Sequence, residues 1–179
     1  MDILAHALWT TALAKAVRRS SGPRLHLGWA AFWGVFPDLA SFTIPAVLRV
    51  WWRVTGVSRT LVPEAHGPSL EWAWGLYNCT HSVLVFAAFF GVAWLIARRP
   101  LLEMSGWACH IAIDIFTHRG LFATHFLWPV SSVRLEGLPW ETGWFLAVNY
   151  AALALVLVLL WGRPAVRAWS KQYRRRASG

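Results

Sequence analysis

Where the few charged residues fall is what most constrains this chain. Only 14% of its 179 residues are Asp, Glu, Lys or Arg, while 57% are hydrophobic and 14 are tryptophan. A soluble domain carries about 25% charged residues, and a chain this poor in charge cannot cover the surface of a fold of its size. Its apolar residues also come in runs long enough to cross a bilayer. The clearest is Gly143–Trp161, whose only polar side chains are Asn149 and Tyr150. A span needs about 20 such residues at 1.5 Å each. The same composition excludes a disordered or collagen-like chain and leaves an integral membrane protein.

The runs predict an all-α multipass transmembrane bundle of about five helices. They cover Asp2–Val17, Leu27–Trp52 with Pro37 and Pro45 inside, Leu76–Ala97, Leu101–Thr117 and Gly143–Trp161. The first and fourth are short for spans. Arg53–Pro68 and Arg119–Thr142 read as loops, with Trp128, Pro129 and Trp140 at the membrane interface. Residues 1–162 form one transmembrane metal-site domain, and 163–179 a basic cytoplasmic tail.

The formal charge of +9 has two readings, nucleic acid or membrane. The cations cluster between apolar runs and no nucleic-acid-binding motif accompanies them, so anionic lipid headgroups are the expected partner of the tail and no nucleic acid is expected. With five spans the termini lie on opposite sides. Twelve cations then fall on the side of the tail and five on the other (Arg49, Arg53, Arg59, Arg119 and Arg134). The positive-inside rule puts the C-terminus in the cytoplasm, and the expected location is the inner (cytoplasmic) membrane. Asp2 and the absence of an early basic region argue against a cleavable signal peptide. Cys79 and Cys109 read as packing thiols, too few for a disulfide framework.

Ionisable residues inside apolar runs cost about 2.5–3.5 kcal/mol each on insertion scales and mark function by default. Here they are Asp2, His6, Asp38, His81, His110, Asp114 and His118, and they include all three aspartates of the chain. His110 and Asp114 are four residues apart and share a helix face, as do Asp2 and His6. The chosen topology brings His and Asp from four helices to similar depth on the outer side. His6, Asp38, His81, His110 and Asp114 are therefore the candidate metal ligands, for zinc or another divalent transition metal such as manganese or iron, one to two ions in all. His-x-x-x-Asp alone is a weak motif, and a lone membrane histidine usually bonds a neighbouring helix. The convergence of five such residues is the stronger observation.

These motifs resemble those of the bacterial and archaeal inner-membrane metal-dependent hydrolase family. The residues concerned are Met1-Asp2-Ile3-Leu4-Ala5-His6, Phe36-Pro37-Asp38, Cys79-Thr80-His81-Ser82, and His110-Ile-Ala-Ile-Asp114 followed by Leu127-Trp128-Pro129 and Arg134. Their order is also similar to that in zinc-dependent phospholipase C. The resemblance spans about residues 1–135. It implies that Asp38, His81, His110 and Asp114 hold one metal and that His6 joins a second one bridged by Asp114. Two departures, Ala40 in place of a second Asp and Gly75-Leu76-Tyr77-Asn78 in place of a His-Arg pair, make one metal the firmer expectation.

The expected function is metal-dependent hydrolysis of a phospholipid or lipid-linked phosphoester at the outer face of the membrane. Asp2 or Asp38 is the candidate catalytic base, and Arg119 and Arg134 are candidates for holding the phosphate, although interface snorkelling explains both arginines as well. A non-catalytic metal-binding membrane protein or a metal or proton transporter is the alternative. His118 and His125 are further possible ligands. The topology carries a direct test. Single cysteines at Gly56 and Gly179, in a chain without native cysteines, are expected to label from opposite sides; labelling of both from outside overturns it.

Overall fold

The structure, a computed structural model, describes residues 1–19, 25–55 and 71–162. The described residues are helical throughout their regular structure and contain no strand. In chain order the helices are α1 (Ile3–Arg19), α2 (Leu27–Thr55), α3 (Glu71–Thr80), α4 (Val83–Ala97), α5 (Ser105–Thr117) and α6 (Gly143–Leu157), the last continuing as a π-helical turn over Val158–Gly162. Short 3-10 turns cover Leu102–Met104 and Gly120–Phe122. Most of the expected loop after α2, the tail 163–179, Arg24 and Arg59 lie outside the described residues.

Burial is inverted relative to a soluble protein. The fully enclosed side chains include His6, Thr10, Ser41, His81, Ser82, His110, Asp114 and Thr124, whereas Val54, Leu95, Ile96, Val148 and Leu155 are exposed. Helix α4, VLVFAAFFGVAWLIA, has no buried residue. An apolar exterior around a polar interior is what hydrocarbon solvent demands. Two helices, Leu27–Thr55 and Gly143–Gly162, are long and apolar enough to cross a membrane, and the α3–α4 pair makes a third if it is one bent span. With 17 and 13 residues, α1 and α5 are shorter than a bilayer core, as their sequences anticipate.

The single helix expected over Leu76–Ala97 is instead broken at His81–Ser82, with a 66° bend between its halves. Capping chemistry explains the break. Ser82 Oγ accepts from the amides of Leu84 and Val85 and starts α4 afresh, as a serine N-cap does. Neighbouring elements take up part of the backbone that the break frees and tie the 118–142 loop to it. Trp107 Nε1 donates to the Thr80 carbonyl at 2.6 Å, Val83 N donates to Phe126 O at 2.9 Å, and Ser82 Oγ donates to Trp128 O. The 118–142 loop thus fills the break, which is how irregular backbone is tolerated at membrane depth.

Helices α1, α2 and α5 approach closely because glycine lies at their crossings. A Cβ on Gly34 of α2 would run into the Thr10 side chain of α1; one on Gly106 of α5 would strike the Ala30 carbonyl and lie 2.9 Å from Gly34 N. Such small-residue crossings let helix backbones touch within membranes. Gly106→Ala replaces a poor helix former by the best one, a gain of about 1 kcal/mol by propensity. Overpacking costs about 1–3 kcal/mol and here meets unyielding backbone. The expected outcome is a lower melting temperature in detergent, whereas Gly91→Ala in α4, where a Cβ meets nothing within 4 Å, is neutral or stabilising.

Candidate metal centre

Four of the five expected ligands converge. Asp38, His81, His110 and Asp114 are buried, and each offers one ligand atom within 4.8 Å of all the others. Asp38 follows Pro37 in α2; Ser41 Oγ bonds the Pro37 carbonyl at 2.8 Å and Thr80 Oγ1 at 2.9 Å, tying this turn to the end of α3. His81 sits in the α3–α4 break. His110 and Asp114 occupy successive turns of α5.

The orientation of the two imidazoles is fixed by acceptors that cannot donate. His110 Nδ1 lies 2.7 Å from the Gly34 carbonyl and His81 Nδ1 lies 2.9 Å from the Tyr77 carbonyl. His110 Nδ1 therefore carries the hydrogen; His81 Nδ1 also lies 3.1 Å from the Thr80 hydroxyl, and in the tautomer that donates to the Tyr77 carbonyl its Nε2, like that of neutral His110, presents a lone pair. Those two Nε2 atoms face each other at 3.1 Å. The carboxylates close the group: His110 Nε2 is 3.0 Å from Asp114 Oδ2 and 3.7 Å from Asp38 Oδ1, and His81 Nε2 is 3.5 Å from each. Asp114 Oδ2 is buried with no hydrogen-bond donor aligned on it. Four potential ligand atoms gathered this closely could hold a metal ion or share a proton carried on one Nε2. Bonds of 2.0–2.2 Å around tetrahedral zinc give ligand–ligand edges of about 3.3–3.6 Å; five edges here run from 3.0 to 3.7 Å, a range that spans those values and ordinary ion-pair distances.

The fifth expected ligand, His6, lies beside this group on the other oxygen of Asp114. Asp114 Oδ1 is 2.9 Å from His6 Nε2, 3.0 Å from His118 Nδ1, and accepts from the Met1 α-amino group at 2.9 Å. His6 also stacks on His110 with ring centroids 3.7 Å apart. Sequence reasoning had no means of placing the Met1 amine here; His118, read as a further possible ligand, lies one turn beyond Asp114 against its Oδ1 and outside the four-residue group. Tyr77, also unanticipated, stacks on His81 at 3.9 Å and anchors its hydroxyl on the Phe122 carbonyl at 2.8 Å.

Asp2 caps α1: its Oδ1 accepts from Ala5 N at 2.9 Å and from the Tyr150 hydroxyl at 2.8 Å, while Oδ2 is buried without a partner. A cavity of about 410 Å³ reaches Asp2, Asp38 and His118 between walls that include Phe42, Phe122 and Trp140. Arg119 and Arg134 are exposed, are not among the residues lining this cavity, and Arg134 faces Glu136 at 3.7 Å. His125 stands apart, its Nδ1 3.0 Å from Asn78 Oδ1; partial burial and the charge of Arg134 push its pKa below the ordinary imidazole value. Cys79 and Cys109 are free thiols outside the group.

No protein-family profile, curated protein or solved structure matches this chain. His110→Ala and Asp114→Asn are each expected to lower metal affinity by more than the roughly 10–100-fold that loss of a ligand's hydrogen-bonding support costs. His26→Ala, at an exposed residue whose ring accepts from Trp29 N at the start of α2, is expected to leave metal content unchanged. Elemental analysis of detergent-purified protein checks all three.

Proposed function

We propose that the protein is a membrane-embedded, metal-dependent hydrolase acting on a phospholipid or lipid-linked phosphoester. In this reading about five helices form a multipass bundle in the inner membrane, with the site toward the outer face and the C-terminus in the cytoplasm. The observation that carries it is the meeting of His81 Nε2 and His110 Nε2 at 3.1 Å between two buried carboxylates. The motif resemblance to inner-membrane metal-dependent hydrolases and zinc-dependent phospholipase C agrees with it, and zinc suits a donor set of two imidazoles and two carboxylates.

Access favours catalysis over a purely structural metal. Structural zinc sites are closed, whereas catalytic ones keep a position open, and Asp38 lines a cavity with apolar walls. A divalent ion held here would supply Lewis-acid polarisation of a phosphoryl oxygen and, by taking a fifth ligand beyond these four residues, a bound water with its pKa lowered to about 7. The chain's own part is orientation and proton handling. The Gly34 and Tyr77 carbonyls hold His110 and His81 in the ligating tautomer. Asp2, which lines the cavity and whose Oδ2 is buried without a partner, is the carboxylate we assign as proton acceptor; Asp38, the other candidate base, is committed to the ligand set. The aromatic walls suit the apolar part of an amphiphilic substrate.

Activity of the purified protein against phospholipid and lipid-linked phosphoester panels tests this. Turnover is expected to vanish on chelation, to return with zinc or another divalent ion, and to be absent in His110→Ala and Asp114→Asn. Asp2→Asn is expected to retain metal while losing most of the rate. A metal-loaded parent with no turnover on any phosphoester, whose helices loosen on chelation, overturns the hydrolase reading in favour of a structural metal site.

A further inference from the structure

We infer that a groove between α1, α5 and α6 holds one acyl chain of an ester-linked lipid, with the ester carbonyl at Asn149 and Thr117. This deepens the hydrolase reading, on which the identification of that lipid as substrate rests. The groove has a volume of about 450 Å³ and is walled by apolar side chains, among them Leu13, Ala16, Ile113, Phe145, Val156 and Leu160. Two polar groups interrupt it. Asn149 is 8% exposed and Thr117 9%, and both line the groove. Asn149 Oδ1 accepts from Trp9 Nε1 at 2.9 Å, which turns its amide nitrogen away from that partner; this Nδ2 and Thr117 Oγ1 are buried with no hydrogen-bond partner.

Unsatisfied donors at this burial cost about 1–3 kcal/mol each; both atoms lie just beneath the groove wall, so an occupant that brings an acceptor to one end and hydrocarbon to the rest satisfies them when the side chains turn toward it. An acyl ester does both; a prenyl chain or an ether lipid brings no carbonyl. The length agrees. From Asn149 to Leu160 the helical rise amounts to about 16 Å, the depth of one leaflet of a ~30 Å hydrocarbon core. Position also agrees. Met1 lines both this groove and the cavity at Asp38, and its amine touches Asp114. In this assignment the headgroup end of the lipid extends toward Met1, which the groove shares with the cavity at Asp38.

The test uses the full-length protein in nanodiscs containing a phosphatidylcholine with a diazirine on one acyl chain, with metal content measured on every sample. Photocrosslinks are expected to concentrate on α1, α5 and α6 around Ala16, Ile113 and Val156. An ester-linked competitor is expected to suppress them roughly fivefold to tenfold better than its ether analogue, the effect of about one hydrogen bond. Ala16→Trp, which fills the groove from an exposed position, is expected to abolish them with metal content unchanged; Val156→Trp, from the α6 side, serves if that variant does not fold. Crosslinks spread evenly over the apolar exterior, α4 included, or equal competition by ester and ether lipids, overturn the groove assignment. Protein that crosslinks as expected yet contains no metal overturns the hydrolase reading and leaves the lipid groove standing.

Discussion

Asp114 has no exposed surface, and a carboxylate cannot remain buried in a membrane protein without positive or donor groups around it. Five nitrogens surround this one. His110 and His81 stand at Oδ2, and His6, His118 and the Met1 amine at Oδ1. They come from the start of α1, from the α3–α4 break, from α5 and from the residue that follows it. The helices cannot part without exposing that carboxylate to hydrocarbon or leaving it unpaired, so the polar interior sets the arrangement that the apolar exterior merely dissolves.

Two local devices bring the ligands to Asp114. Glycine at Gly34 and Gly106 lets α1, α2 and α5 approach, so that the Gly34 carbonyl reaches His110 Nδ1. His81 stands at the break, where its amide still bonds the Tyr77 carbonyl as the last turn of α3 does and its ring joins the group. Trp107 serves both ends of this arrangement, since it sits on α5 three residues before His110 and donates to the carbonyl that the break exposes.

The candidate site was legible in the sequence because charge is so scarce in this chain. Each Asp or His within an apolar run stands out, and the spacing of His110 and Asp114 reveals their shared face. Asp38, His81, His110 and Asp114 meet as their positions implied, and His6 joins on the far oxygen of Asp114. The α3–α4 break was hidden because apolar content is continuous across it, although Ser82 ahead of Val-Leu-Val carries N-cap chemistry. The Met1 amine was hidden for a different reason: a chain terminus has no side-chain pattern to read. Arg119 and Arg134 drew attention as cations near the motif, but proximity in sequence does not fix which way a long side chain on a loop extends.

The charge balance of the four-residue group narrows what can occupy it. Two carboxylates and two neutral imidazoles sum to −2, and the Nδ1 hydrogens are held by carbonyls that have no proton to return. Counting the Met1 amine at Asp114 Oδ1, the surroundings sum to −1, so one added proton brings them to zero and a divalent ion to +1; a cation of either kind is admitted and a further anion is not. Oδ1 of Asp114 meanwhile faces the Met1 amine, a cation supplied by the chain itself. One carboxylate thus meets positive charge on one oxygen and imidazole nitrogens on the other, so Asp38, His81, His110 and Asp114 could share one ion while His6 and His118 contact Asp114 from its far oxygen.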